Sequence, residues 1–286
     1  MNLARATFDR VARMSLENAA ANTVKADRRL DKLANTRHRV LVVANGPSLR
    51  SSLASSALTW IGRVYLIAVD GAAGHLMREE LDPDLVVSAD PHERIAHWFG
   101  AEPDDYFGRV GESHRTVWDW RGINLALATA AHPRTVEHVT AEGMRPYWFH
   151  AMLDDPGAPD SLTRKLYDAN PLPVINGGGN VGTTAWVIAH SILGAKTVGL
   201  VGFDFGYPPG FPEERTQYAP ELQAMYGDDW RDAFVRYPSG WYADPTMAWF
   251  REVFMEMAAS APCRTVNCGV GGALDIERMP LEEFLR

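Results

Sequence analysis

The apolar positions of this chain gather into short unbroken runs, separated by amphipathic or polar stretches. Runs at 39–44, 64–69, 83–89 and 197–202 are continuous rather than alternating, the pattern of strands buried on both faces of a parallel sheet. Shorter runs at 125–130, 146–150 and 264–267 predict three further strands. Between them the spacing turns helical at 73–80, 135–142, 161–167 and 185–193, the last closed by Gly194, a residue suited to the left-handed position after a helix. The most regular helix covers 246–260, where Met247, Phe250, Val253, Phe254 and Met257 share one face. A short helix closes the chain at 280–285. Strands alternating with helices predict an α/β fold: a doubly wound, mostly parallel Rossmann-like sheet with helices on both faces.

Other stretches break the alternation. Residues 1–37 read as a polar, mostly helical lead-in whose irregular stripe (Leu3, Phe8, Val11, Met14, Leu16) suits packing on a domain surface or at a dimer contact. Residues 38–286 then form the domain proper. The segment 92–122 is rich in His, Trp and charge and reads as a short helix followed by a connection; 154–160 is a loop. An insertion at about 206–242 follows the strand at 197–202, with a proline-rich start and the aromatics Tyr218, Tyr226, Trp230, Phe234 and Tyr237. Long insertions at the carboxyl edge of a sheet are commonly lids or acceptor sites. Aromatics that pack the insertion on itself are an equally good reading.

The turns carry the candidate chemistry. Gly177, Gly178, Gly179 and Gly182 place four glycines in six positions, leaving the backbone free to reach positive φ and to approach a ligand. The helix they open, with Asn180 and Thr183 in its first turn, presents free N–H groups to an anion. The next strand delivers Asp204 at its carboxyl end, where ligands of open α/β sheets bind. A second such turn, Asn45-Gly46-Pro47-Ser48, ends the first strand; Ser48 is placed to bond free backbone N–H groups. Two more strands end in acids, Asp70 and Asp90. Three carboxylates at one crevice repel unless a cation or a substrate donor group offsets them. The pattern implies a phosphate-bearing ligand, most simply a nucleotide, between the glycine turn and Asp204. His92, His132 and His150 follow apolar runs and are candidate acids, bases or ligands, against the plainer reading of satisfied structural histidines. The string from Gly177 to Gly182 has the G-x-G-x-x-G form, yet a dinucleotide fingerprint belongs after the first strand, so a dehydrogenase is the weaker reading.

Composition narrows the field. The chain has 286 residues, a formal net charge of -8 and 46% hydrophobic residues, enough for a sizeable core and unlike the basic footprint of a nucleic-acid binder. Cys263 and Cys268 lie too near the end to staple the chain, and their C-x4-C spacing lacks zinc-site companions. Reduced thiols, no apolar run of transmembrane length, and an N-terminal stretch interrupted by Arg5, Asp9, Arg10 and Arg13 lead to a cytoplasmic expectation.

Taken in order, Asn45-Gly46-Pro47-Ser48-Leu49, Pro83-Asp84 through Asp90-Pro91, Gly178-Gly179-Asn180-Val181 and Leu200-Val201-Gly202-Phe203-Asp204 resemble the DUF115 superfamily. That group includes the motility accessory factor glycosyltransferases and the MptE-like 6-hydroxymethylpterin diphosphokinases; Asn267 with Gly269 to Gly272 looks like its final strand and glycine turn. The opening turn is also similar to that of bacterial sialyltransferases that use CMP-sugars. The resemblance implies a transferase with an activated nucleotide donor. Glycosyl transfer from a CMP-sugar comes first, because Asp90-Pro91 keeps one acid where the diphosphokinase branch typically has two. There Asn45, Gly46, Pro47, Ser48, Asp70, Gly178, Gly179, Asn180 and Thr183 would hold the nucleotide, and Asp204, Asp90 or His92 would assist the acceptor hydroxyl. The alternative is ATP-dependent pyrophosphate transfer to a pterin alcohol, with Mg²⁺ bound through Asp90. A third reading is a non-catalytic nucleotide-binding protein. The expected partners are the donor and a small-molecule, glycan or protein acceptor, with no nucleic acid and no membrane span; a homo-oligomer stays open.

Overall fold

The computed structural model describes residues 3–22, 28–33, 37–53, 64–101 and 118–286; part of the predicted lead-in and the connection at 102–117 lie outside them. Ten strands occur among the described residues. Eight form one sheet: β1 (Arg39–Val43), β2 (Tyr65–Val69), β3 (Leu85–Ser88), β4 (Asn124–Ala128), β5 (Arg145–Ala151), β6 (Val174–Ile175), β7 (Thr197–Val201) and, after the hairpin β8 (Val235–Arg236) and β9 (Tyr242–Ala243), β10 (Arg264–Asn267). Their order is β10-β7-β1-β2-β3-β4-β5-β6, and every pairing is parallel, with Val40 opposite Tyr65 on one side and Val198 on the other. The continuous apolar runs explain this. Residues 40–43 are fully buried, as a central strand covered on both faces requires.

The chain winds outward from β1 to β6, then returns to lay β7 on the other side of β1. Successive connections therefore part at the carboxyl ends of β1 and β7, the topological switch point where such sheets bind ligands. Right-handed crossovers put α2 (Leu49–Leu53), α3 (Asp70–Arg78), α4 (Pro133–Ala141) and α5 (Leu162–Ala169) on one face. The returning connections put α6 (Val181–Val187) and α8 (Pro245–Ser260) on the other. On that second face Trp186 of α6 meets Phe254 of α8 edge-on at 5.2 Å, and Phe254 also packs on Phe203 and Phe205. The first face is closed beneath β7 by α9 (Leu281–Leu285), whose Phe284 ring lies 2.8 Å from where a Cβ on Gly199 would stand. The helix predicted at 185–193 begins earlier, at Val181, and passes into a π-type turn at Ile188–Ile192. Gly194 follows at φ +66, the left-handed residue expected there.

Two elements rise over the carboxyl rim. The lead-in helix α1 (Leu3–Asn22) contacts α4 on one face and α8 on the other, so it crosses the sheet's edge. It is fastened by two asparagines one turn apart. Asn18 Nδ2 donates to the carbonyls of Pro91 and Ala130, and Asn22 Nδ2 to those of Thr129 and Ala131. The second element is the insertion, which contains α7 (Ala219–Tyr226) and the β8–β9 hairpin. Tyr218, Leu222, Trp230, Phe234 and Tyr242 form its own apolar core, so most of its aromatics serve to pack it. No described helix is long and apolar enough to cross a membrane.

Candidate functional site

The site is built on the turns at the carboxyl ends of β1, β2, β3, β6 and β7. At the switch point, Ser48 donates its backbone N–H to Asp204 Oδ2 at 2.6 Å and its hydroxyl to Oδ1 at 2.7 Å. Ser48, expected from the sequence to bond free helix amides, is instead the donor, because a buried carboxylate stands opposite it. Gly46 and Gly202 join the two turns beside this clasp, with Gly46 N–H donating to Gly202 O at 3.0 Å. A Cβ on Gly46 would stand 2.3 Å from that oxygen and 2.5 Å from Asp204 Oδ2. Only glycine fits. The clasp is covered by the final glycine turn, where a Cβ on Gly271 would meet Trp241 at 2.6 Å and Ser48 at 3.0 Å, and one on Gly272 would meet Asp204 at 2.9 Å. Burial raises the Asp204 carboxyl above its ordinary range, and the two Ser48 hydrogen bonds offset part of that rise.

The second carboxylate is handled in the same way. Asp70 begins α3 directly from β2, three residues before the predicted helix. Its Oδ1 accepts from the Gly71 N–H at 2.7 Å and its Oδ2 from the Ser88 hydroxyl at 2.9 Å. Burial, with some help from the neighbouring charge of Asp90, pushes this carboxyl up to about 7. Two of the three acids predicted to crowd the crevice thus each accept from a serine hydroxyl and a backbone N–H. Ser88 is the partner that sequence reasoning missed, although it ends its strand two residues before Asp90. Asn45 is exposed and lies against Gly71, where a Cβ would stand 2.6 Å from Asn45 Nδ2. An exposed carboxamide thus sits where the first two turns meet.

Asp90 is exposed, and its Oδ1 accepts from the His92 N–H at 2.8 Å. His92 Nδ1 accepts from the Arg94 N–H at 3.2 Å. In the neutral ring that places the proton on Nε2, making this nitrogen a donor. His132 and His150 lie apart from this group. His132 caps α4 through Nδ1, and the fully buried His150 bridges the Thr129 hydroxyl and the Asn170 carbonyl.

The glycine turn stands at the same rim. Gly178 and Gly179 have φ of +55 and +85. Asn180 caps α6: its Oδ1 accepts from the Thr183 N–H, and its Nδ2 donates to the Thr183 hydroxyl. Thr183 is fully buried by this exchange. One flank of the turn is filled by α8, since added Cβ atoms would meet Val253 at Gly178 and Phe250 and Trp249 at Gly179. Packing therefore accounts for part of the glycine content. On the remaining side the N–H groups of Gly179, Val181 and Gly182 have no protein acceptor among the described residues, as expected of a helix start. Gly182 also touches the Phe203 ring, which joins this turn to the end of β7.

Among the described residues no three His, Cys, Asp or Glu side chains converge on a metal position. A magnesium ion that arrives on nucleotide phosphates keeps several waters and needs one or two protein carboxylates, a demand that Asp90 at the exposed rim fits. Behind the clasp a half-open concavity of about 310 Å³ is lined by Ser52, Asn267, Cys268, Val270 and Arg278, among others. It joins the site through Ser52, whose hydroxyl donates to the Ser48 carbonyl.

The family model described as 6-hydroxymethylpterin diphosphokinase MptE-like matches residues 13–210, which include the second half of α1 and every turn of the rim except the last. Among solved structures, the motility accessory factor glycosyltransferase of Magnetospirillum magneticum AMB-1 is similar in fold, with a TM-score of 0.62 at 15% identity. The match covers 95% of this chain and 39% of that one, so the present chain spans about two fifths of its length. No curated protein matches in sequence.

Proposed function

This chain belongs to the MptE-like family, a family of transferases, and on that premise we propose that it transfers a group from an activated nucleotide held at the carboxyl rim of β1, β2 and β3. The observation that carries this reading is that two kinds of donor stand at the carboxyl rim of the sheet. The free amides of Gly179, Val181 and Gly182 suit a phosphate, and the exposed Asn45 carboxamide beside Gly71 suits a ribose or base edge.

Glycosyl transfer from a CMP-sugar is the first reading. The rim offers amide donors and one exposed carboxylate, a set matched to the single negative charge of a phosphodiester. In this reaction the acceptor hydroxyl oxygen bonds to the anomeric carbon, the bond from that carbon to the phosphate oxygen breaks, and CMP leaves with the electron pair. The acceptor proton passes to a general base. This reading assigns that role to Asp90, which is exposed at the rim, whereas Asp204 is buried with each of its carboxylate oxygens already accepting from Ser48. His92, with its proton on Nε2, would donate to the leaving phosphate rather than take up a proton. Asp204 acts through Ser48, fixing the turn that carries Asn45. The fold similarity to a glycosyltransferase supports this order.

Pyrophosphate transfer is the second reading, favoured by the description of the matching family. There Mg²⁺ would neutralise the phosphates of ATP, and Asp90 would be its protein ligand. The buried free thiols of Cys263 and Cys268 support a reducing compartment for either reaction.

Product analysis separates the readings. Release of CMP from a CMP-sugar, abolished in Asp90→Asn, supports glycosyl transfer. AMP formed from ATP and a pterin alcohol supports the second reading. Nucleotide binding with neither product would leave a non-catalytic binding protein.

A further inference from the structure

Trp249, in the second turn of α8, has no part in the chemistry above, yet it stands at the edge of the glycine turn. The residue is 36% exposed, whereas tryptophan is on average highly buried. The ring is held on two sides. Phe250 lies beside it at 5.4 Å between centroids, tilted by 47°. The backbone of Gly179 lies under its edge, with Trp249 Cζ3 3.0 Å from where a Cβ would stand. Any side chain at 179 would displace the indole, and φ of +85 there also favours glycine. An aromatic surface is therefore fixed in place and open to solvent, next to the unpartnered amides of Gly179, Val181 and Gly182. Trp249 is also the one large exposed apolar side chain, among those described, that touches this turn.

We propose that Trp249 is a stacking platform for the flat heterocycle of a ligand whose phosphate is held by the glycine turn. The proposal rests on the nucleotide reading of the site. The chemistry it recognises is an aromatic ring with an anionic group attached, and two sources supply one: the nucleobase of the donor, or a pterin acceptor bearing its new phosphates. Stacking on indole tolerates many rings because each has a π-face, and removal of the aromatic partner typically weakens binding by roughly tenfold or more.

Calorimetric titration of the full chain and of Trp249→Ala, Trp249→Leu and Trp249→Phe tests this, with CMP, ATP plus Mg²⁺, 6-hydroxymethylpterin diphosphate and inorganic tripolyphosphate as probes. The expected result is a roughly tenfold loss of affinity for a heterocyclic probe in the Ala and Leu variants. The Phe variant should stay within about threefold, and tripolyphosphate affinity should not change. Loss confined to CMP or ATP makes the base the occupant; loss confined to the pterin makes it the acceptor. Leu fills most of the indole's space, so it reports on stacking even if the Ala variant folds poorly. Heterocycle affinities unchanged in the Leu variant, or tripolyphosphate weakened in parallel, overturn the platform. A parent chain that binds none of the heterocycles overturns the nucleotide reading itself, which keeps the two failures distinct.

Discussion

Ser48 gives both its backbone N–H and its hydroxyl to the carboxylate of Asp204, a residue 156 positions later in the chain. The contact spans the point where the sheet's winding reverses. It ties the turn that follows β1 to the turn that follows β7 and shields a carboxylate that is 3% exposed. Such a pair matters most through what is left behind when one partner is removed.

Ser48→Ala removes the hydroxyl and leaves Asp204 Oδ1 buried without its donor. The expected cost is about 1–3 kcal/mol, read as a lower urea midpoint at unchanged slope. Asp204→Asn should cost a similar amount, because its amide N–H₂ group would face a donor. Parent-like midpoints in both variants would mean that the clasp contributes nothing.

Gly46→Ala tests the same junction by steric means. The new Cβ would stand 2.3 Å from Gly202 O, a backbone atom that cannot swing aside. Turn and clasp must separate, so the loss should exceed that of Ser48→Ala and should also remove nucleotide binding. A soluble variant with normal stability and binding would contradict the packing described.

Asp70 carries a pH prediction. Its carboxyl is raised in the folded protein from an ordinary 3.8 to about 7, so between those values the folded state holds a proton that the unfolded chain has released. Its stabilising contribution is complete below about pH 4 and is lost as the pH rises toward 7. Asp70→Asn keeps an acceptor for the Gly71 N–H and offers a donor to Ser88. The stability of the parent relative to this variant should therefore fall from pH 4 to pH 7, by on the order of a few kcal/mol, and level off above. A difference that is flat with pH in chemical denaturation would rule this out.

Asn18→Leu asks how firmly α1 holds the rim. It leaves the Pro91 and Ala130 carbonyls without the amide donors seen at 2.8 and 2.9 Å. About 2 kcal/mol of stability should be lost. The turn at Asp90–His92 should loosen as well, visible as faster amide exchange at His92, whose N–H bonds Asp90. Unchanged exchange there would confine α1 to a passive cover.

Much of this arrangement was legible in the residues. The continuous runs at 39–44, 64–69 and 197–202 have the pattern of buried parallel strands, and the Gly and Asp residues at their ends marked the rim. Other features could not be read from one sequence. Strand β6 has two residues, Val174 and Ile175, too few to show a period. Nothing local distinguished an acid facing a ligand from one facing a serine, so Asp204 and Asp70 read as open carboxylates until Ser48 and Ser88 were seen beside them. The glycines at 178 and 179 pointed to a phosphate cradle, whereas Val253 beside Gly178 and Phe250 and Trp249 beside Gly179, some 70 residues later, account for part of their presence. One clue in the lead-in was readable: Asn18 and Asn22, poor helix formers spaced one turn apart, imply partners for their side chains.

The central claim is that a nucleotide phosphate rests on the free amides that open α6. Hydrogen exchange followed at single amides, with and without saturating CMP or ATP plus Mg²⁺, tests it most directly. The account predicts slowed exchange at Gly179, Val181 and Gly182, together with the turn around Asn45. Exchange unchanged at those amides under nucleotide, or protection that appears only around Asn267 and Arg278, would contradict it.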